Sequence, residues 1–163
     1  MEVKVIEKLL QVERVATISR LERREIPLKK DGWNFNWRAL FNTQGSELHK
    51  IALLETPVLV EGVVMLSLFN EKMLFMNNIE LAPHNIGAGK KYERIAGCLL
   101  AFACKQSFEY GRDTYRGYLS FDSKTELINW YQYQYGAKIA RGNKMYFDPD
   151  TGTKLMKEFL NIT

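Results

Sequence analysis

Apolar positions along the chain change period several times, and each change marks an element boundary. Val3 and Val5 predict a short first strand reaching towards Leu9. Val12, Val15 and Ala16 then fall at helical spacing, which predicts a helix through Leu21 that Pro27 ends. Between Lys29 and Phe41 the pattern is irregular and aromatic. Asp31-Gly32 makes a turn, and Trp33, Phe35, Trp37 and Phe41 follow in what reads as a short helical piece.

Three strand patterns come next. They are Glu47 to Glu55, broken by Thr56-Pro57, then Val58 to Phe69, turned by Asn70-Glu71-Lys72, then Met73 to Leu81. Connections this short predict an antiparallel meander. After an irregular stretch from Pro83 to Lys91, Ile95, Cys98, Leu99 and Phe102 recur at helical spacing up to Gly111. Gly117 to Asp122 reads as a buried strand. Ser123 with Glu126 forms a capping-box pattern, predicting a helix from Lys124 to Tyr135 with Gly136 as its stop. Ala137 to Arg141 and Lys144 to Asp148 flank the hairpin signal Gly142-Asn143, and Thr151 to Leu160 predicts a last short helix. A long helix between two strands implies a parallel pair, so the expected α/β (α+β) fold has a mixed central sheet flanked by helices, antiparallel at first and parallel in the middle.

Length and composition narrow the class. The 163 residues suit one domain, expected to span 1–163, with 46% hydrophobic and 26% charged residues typical of a globular chain. No apolar run approaches the roughly 20 residues of a membrane span, and MEVKVIEKLL has no signal-peptide layout, so a cytoplasmic protein without a membrane partner is expected. Cys98 and Cys104 sit on the predicted helix facing different ways and read as buried free thiols. His49 and His84 are the only histidines and make no zinc spacing with them, so no metal is expected. The net charge of +4 owes part to arginines between Arg14 and Arg24, which interleave with Glu13, Glu22 and Glu25 as on a solvated helix face. That balance is too small to argue for a nucleic-acid partner.

The order of elements, together with local sequence, resembles the GCN5-related N-acetyltransferase (GNAT) family over nearly the whole chain. In that family a loop reading Gln/Arg-x-x-Gly-x-Gly/Ala leads into the long helix, and its amides cradle the coenzyme A pyrophosphate. Two registers compete here. His84 to Gly89 keeps both glycines but lacks the apolar pair that should follow. Lys91-Tyr92-Glu93-Arg94-Ile95-Ala96, followed by Gly97-Cys98-Leu99-Leu100, has the paired leucines and puts Arg94 in the place of the first glycine. The second register is preferred because apolar spacing decides how the helix docks. Trp130 to Ala137 resembles the family's Phe-Tyr-x-x-x-Gly-Phe ending with one extra residue, and Lys144 to Phe147 its last strand.

The resemblance implies the acyl-CoA N-acyltransferase fold and an enzyme that moves an acetyl group from acetyl-CoA to an amine. The acceptor, whether small molecule, protein or aminoacyl group, is not implied, and a homodimer is compatible with it. It further implies that Ile79, Leu81 and Ala82 line the pantetheine arm, and that Lys91, Tyr92, Glu93, Arg94, Ile95, Ala96 and Gly97 hold the pyrophosphate. Glu80 would act as general base and Tyr131 as general acid for the thiolate, with Tyr135 one turn later as the other choice. Trp33, Phe35, Trp37 and Asn78 would border the acceptor. The competing reading is a noncatalytic GNAT-like module that binds acyl-CoA or a partner, which Arg94 in place of the glycine favours.

Overall fold

A computed structural model describes residues 1–162. Among these residues nine strands form one mixed sheet in the order β6-β1-β2-β3-β4-β5-β7-β9-β8, flanked by helices, as the sequence pattern implies. The strands are β1 (Glu2–Glu7), β2 (Val12–Arg20), β3 (Ser46–Leu53), β4 (Gly62–Phe69), β5 (Met73–Leu81), β6 (Tyr92–Glu93), β7 (Leu119–Asp122), β8 (Lys138–Arg141) and β9 (Lys144–Phe147). The helices are α1 (Trp37–Phe41), α2 (Ile95–Tyr110), α3 (Ile128–Tyr135) and α4 (Pro149–Leu160). By contacts the chain divides into two compact units, the first made of residues 1–65 and 78–99, the second of 66–77 and the remainder from 100.

In the first unit the expected opening helix is instead a strand. β1 and β2 form an antiparallel hairpin with Val3 opposite Ala16 and Val5 opposite Arg14. Val12, Val15 and Ala16 fit a helical period, but Val12 and Val15 are exposed while Ala16 and Ile18, two apart, are buried. That is the period of a strand with one face inward. Its content of Val, Thr and Ile favours extended backbone, and Gln11 closes the turn with φ of 52°. The arginines from Arg14 to Arg24 therefore lie on a strand and a 3-10 turn, each of Arg14, Arg20 and Arg24 paired with a glutamate. Leu9 belongs to the hairpin tip and is exposed.

β2 pairs antiparallel with β3, Ile18 opposite Ile51. β4 begins at Gly62 rather than Val58, because residues 56–61 turn back on β3 through Leu59 N–H to Thr56 O and Glu61 N–H to Ile51 O. One core cluster gathers Leu21, Trp33, Trp37, Leu48, Val63, Met65 and Ala82. Elsewhere in the unit the first turns of α2 lie so close to β4 that a Cβ on Gly62 would stand 2.9 Å from Leu99 Cδ1 and 3.1 Å from Ile95 Cγ2.

His49, on β3 opposite Arg20, is buried. Burial first, then the Arg20 charge, pushes its imidazole down from 6.5 to about 4. Below its ordinary value the unfolded chain takes up a proton that the folded chain refuses. The stability this neutral imidazole contributes is thus complete above pH 6.5 and is lost as the pH falls towards 4, about 3 kcal/mol in all. Urea midpoints across that range should fall accordingly, and His49→Phe should flatten the fall; an unchanged slope in the variant would remove His49 as its source.

In the second unit β5 and β7 run parallel, Leu74 opposite Leu119 and Met76 opposite Phe121. β7 and β8 each pair antiparallel with β9. The helix expected from Lys124 starts later. Residues Thr125–Leu127 form a 3-10 turn, α3 starts at Ile128, and no side chain caps it. Ser123 Oγ donates to Lys124 O at 2.7 Å, so the hydroxyl is used in a local turn and the capping box does not form. Gly136 does end the helix in the left-handed conformation, φ 78°. α4 starts two residues earlier than the pattern suggests, with Asp148 as N-cap to Thr151 N–H at 2.8 Å and Pro149 in the first turn. Cys98 and Cys104 form no disulfide and are buried as expected, and burial pushes the Cys98 thiol up to about 12.

Candidate functional site

In the first unit the site is built from the end of β5 and the segment that follows. By the β5/β7 register, Asp122 at the end of β7 would face Asn77, so Asn78 to Leu81 extend past the last residue of β7. Asn78, Ile79 and Leu81 are partly exposed there, whereas the Ala82 amide is already bonded to Glu61 O at 3.0 Å.

Glu80 is buried, and its carboxylate is the anchor of the aromatic segment. Oε2 accepts from the Asn34 amide at 2.6 Å; Oε1 accepts from the Phe35 amide at 3.1 Å and the Trp37 indole N–H at 2.9 Å. Charge-assisted bonds to N–H donors are among the stronger ones. Oε2, with one donor, keeps a lone pair. The four residues expected near an acceptor divide accordingly. Trp37 is fully buried and Trp33 nearly so, both within the core cluster, while Phe35 and Asn78 are partly open. Phe35 meets Trp37 edge to face at 5.8 Å.

Beyond Pro83 the chain loops out and returns. Lys91 N–H donates to His84 O at 2.7 Å and Tyr92 N–H to Asn85 Oδ1 at 3.1 Å, so both these amides are bonded within the loop. Tyr92 and Glu93 pair with β1 as β6, Glu93 opposite Ile6. Arg94 accepts the Cys98 N–H at 2.9 Å through its carbonyl, which opens α2. Its φ of 80° lies in the region glycine favours, and its guanidinium Nε reaches Lys4 O at 3.4 Å. The backbone thus keeps a glycine-like turn where the sequence has arginine, and the amides of Ile95, Ala96 and Gly97 form the first turn of α2, out of reach of any carbonyl of their own helix. The glycine-bearing stretch 84–89 is separated from the helix by β6.

In the second unit Tyr131 is buried on α3, its ring 4.7 Å from Phe121 and 4.9 Å from Trp130, and burial pushes its phenol up to about 12. Tyr135 packs against Trp130 and Phe159 at 5.0 and 6.2 Å. A hollow of about 550 Å³ on this unit has Phe69, Phe75, Tyr115, Tyr118 and Tyr146 among its walls and the Asp122–Lys144 pair, 3.6 Å, at one side. The strand alternation of Tyr118, Ser120 and Asp122 carries this face in the sequence, but only the fold brings Phe69 and Phe75 to it. Among the described residues no three His, Cys, Asp or Glu side chains gather as a metal site, and no helix is long and apolar enough to cross a membrane.

The arrangement is the acyl-CoA N-acyltransferase fold of the GNAT acetyltransferases. Solved structures with this fold include the DNA-bound AtaT–AtaR complex, at 18% identity over 86% of this chain and 99% of that one, TM-score 0.59. A chimera of the spermidine N-acetyltransferase SpeG from Vibrio cholerae and hSSAT matches at 14% identity, 86% and 98% coverage and TM-score 0.57. A GNAT family acetyltransferase from Elizabethkingia anophelis with acetyl-CoA bound matches at 16% identity, 77% and 78% coverage and TM-score 0.54. No protein-family model and no curated protein matches the sequence.

Proposed function

We propose that this chain is an N-acetyltransferase that moves an acetyl group from acetyl-CoA to an amine. The observation that carries the reading is the glycine-like turn at Arg94, which opens a 16-residue helix on small residues, Ala96 and Gly97, within a fold shared with an acetyl-CoA-bound acetyltransferase. Amides at the first turn of a helix favour an anion, and residues this small let a pyrophosphate come close. In this reading Ile95, Ala96 and Gly97 hold the pyrophosphate, with Arg94 and the outward side chains of Lys91 and Glu93 at its border. Ile79 and Leu81 supply the backbone that pairs with pantetheine.

Glu80 keeps the Asn34–Trp37 segment in place, so that Phe35 and Asn78 border the acceptor. Tyr131 carries its proton throughout the working pH range and donates a hydrogen bond to the departing thiolate.

Calorimetric titration with acetyl-CoA, and separately with CoA, tests the first half of the proposal. One saturable site is expected for each ligand. Absence of binding by both would abolish the reading in favour of a noncatalytic module. Turnover on a panel of polyamines, arylalkylamines and aminoacyl esters tests the second half. Tyr131→Phe should lower kcat about tenfold or more with little change in acetyl-CoA affinity. Undiminished kcat would take the phenol out of the reaction.

A further inference from the structure

Along β5, β7 and β9 every second side chain turns away from the core, and the outward ones meet in the hollow of about 550 Å³ on the second unit. Leu74, Leu119, Phe121, Met145 and Phe147 are buried, whereas Phe75, Ser120, Asp122, Lys144 and Tyr146, which alternate with them, are not. The register sets these outward residues in rows. Phe75 stands opposite Ser120 and Ser120 opposite Tyr146; two residues on along β7, Asp122 stands opposite Lys144. A serine between two rings leaves a gap. Its Oγ donates to Leu74 O at 3.4 Å, so the hydroxyl is turned to the β5 backbone. Tyr118 closes the end away from the charges, its ring 6.2 Å from that of Tyr146. Phe69 and Tyr115, in the walls, are 57% and 43% exposed.

A hollow of this size, with aromatic walls and a polar edge, suits a small organic molecule. Aromatic walls favour a flat ring, which gains from offset or edge contacts beyond the area it buries. The edge decides the rest. Asp122 Oδ1 and Lys144 Nζ stand 3.6 Å apart, beyond hydrogen-bond reach, with side chains 49% and 66% exposed. An exposed pair at this distance contributes little to the fold, and both groups keep hydrogen-bonding capacity for a ligand. A ligand bearing only a cation would meet Asp122 together with the repelling charge of Lys144, and one bearing only an anion would meet the reverse. A zwitterion meets both charges with the favourable sign.

We propose that the hollow binds a free aromatic α-amino acid, its ring over Ser120 between Phe75 and Tyr146, its ammonium on Asp122 and its carboxylate on Lys144. The ring and the charged row lie two residues apart along β7, roughly 6–7 Å, which one methylene and the α-carbon span. A residue within a peptide lacks both charges at its α-carbon, so the free amino acid is the class that fits. No step of acetyl transfer enters the proposal, and Phe35 and Asn78, at the acceptor border, belong to the first unit.

The test is calorimetric titration of the whole chain, without acetyl-CoA, using L-phenylalanine and three relatives of it. Phenethylamine lacks the carboxylate, hydrocinnamate the ammonium, and L-alanine the ring. L-Phenylalanine should fill one saturable site and bind about tenfold or more tighter than each of the three. Asp122→Asn should bring its affinity down to that of hydrocinnamate while leaving hydrocinnamate no weaker, and Lys144→Met should do the same towards phenethylamine. Phe75→Leu should weaken L-phenylalanine about fivefold. L-Phenylalanine binding no tighter than phenethylamine or hydrocinnamate, or filling no saturable site, would overturn the assignment, and these wild-type titrations decide it even where a variant fails to fold.

Discussion

Glu80→Ala is expected to cost about 3–6 kcal/mol of unfolding free energy, because it strips three N–H donors, one of them fully buried, of a buried carboxylate acceptor. The donors are the Asn34 and Phe35 amides and the Trp37 indole. Trp37 is fully buried among Leu48, Val63 and Met65, so the loss reaches the core rather than a surface loop. Glu80→Gln should cost less but not nothing: one amide oxygen can serve Phe35 and Trp37, while the new NH₂ then faces the Asn34 N–H, donor against donor. Urea unfolding followed by tryptophan fluorescence reads both, since Trp33 and Trp37 report on this segment. A cost below about 1 kcal/mol for the alanine variant would mean that the three bonds do not anchor the segment. The glutamine variant also separates anchoring from proton transfer. If Glu80 only positions, turnover falls without displacement of the pH profile; a displaced profile would restore the general-base role that the resemblance implies.

The features legible in the sequence are those set by local pattern. The meander from β3 to β5 shows in its turn residues, and Asn70 and Glu71 do adopt the positive φ that a tight hairpin needs. α2 shows because Ile95, Cys98, Leu99 and Phe102 must all face a core. The second strand of the first hairpin was illegible, although Val3 and Val5 announced the first, because Val12, Val15 and Ala16 fit two periods, and the deciding fact, which of them is buried, depends on β3 and not on β2 itself. Ser123 misled for the opposite reason: a good capping pattern was available locally, but the turn before β9 holds the Ser123 amide through Asn143 O, and its hydroxyl turns to Lys124. The candidate site divides along the same line. Glu80 stands out as a carboxylate in an apolar strand, but its partners lie more than forty residues away, and nothing in the spacing announces that they will exhaust most of its lone pairs. Phe75 and Tyr146, set on either side of Ser120 by the register, gave no signal as neighbours. Arg94 was legible only as a departure from a family pattern; its backbone nonetheless keeps the φ of 80° that glycine favours, with the side chain reaching Lys4 O.

The second large effect concerns Lys50, whose ammonium is almost fully enclosed in the first unit. It donates to Glu25 Oε2 and, at 2.8 Å, to Pro57 O, and both charged side chains are 9% exposed. Burial pushes the Glu25 carboxyl up, but the hydrogen bonds from Lys50 and from the Glu22 backbone and the nearby positive charges outweigh it, and the net value lies below 4.5. The pair ties the 3-10 turn at Arg23–Glu25 to β3 and to the Thr56-Pro57 break. Lys50→Met keeps most of the stem's volume and removes the charge, leaving Glu25 as a buried carboxylate without its counterion, at an expected cost of about 3–5 kcal/mol. Removing both charges, as Lys50→Met with Glu25→Leu, should cost far less, since replacing a buried pair by apolar groups is close to neutral. The sign with pH follows from the lowered carboxyl. The wild-type pair contributes in full above about pH 4.5 and is lost as the pH falls through the lower folded value, so the gap between wild type and Lys50→Met should close on acidification. A double-mutant cycle of Lys50→Met, Glu25→Leu and the two together, in urea at neutral and acid pH, measures this, and a double-variant cost equal to the sum of the two single costs at neutral pH would show that the two charges are not coupled.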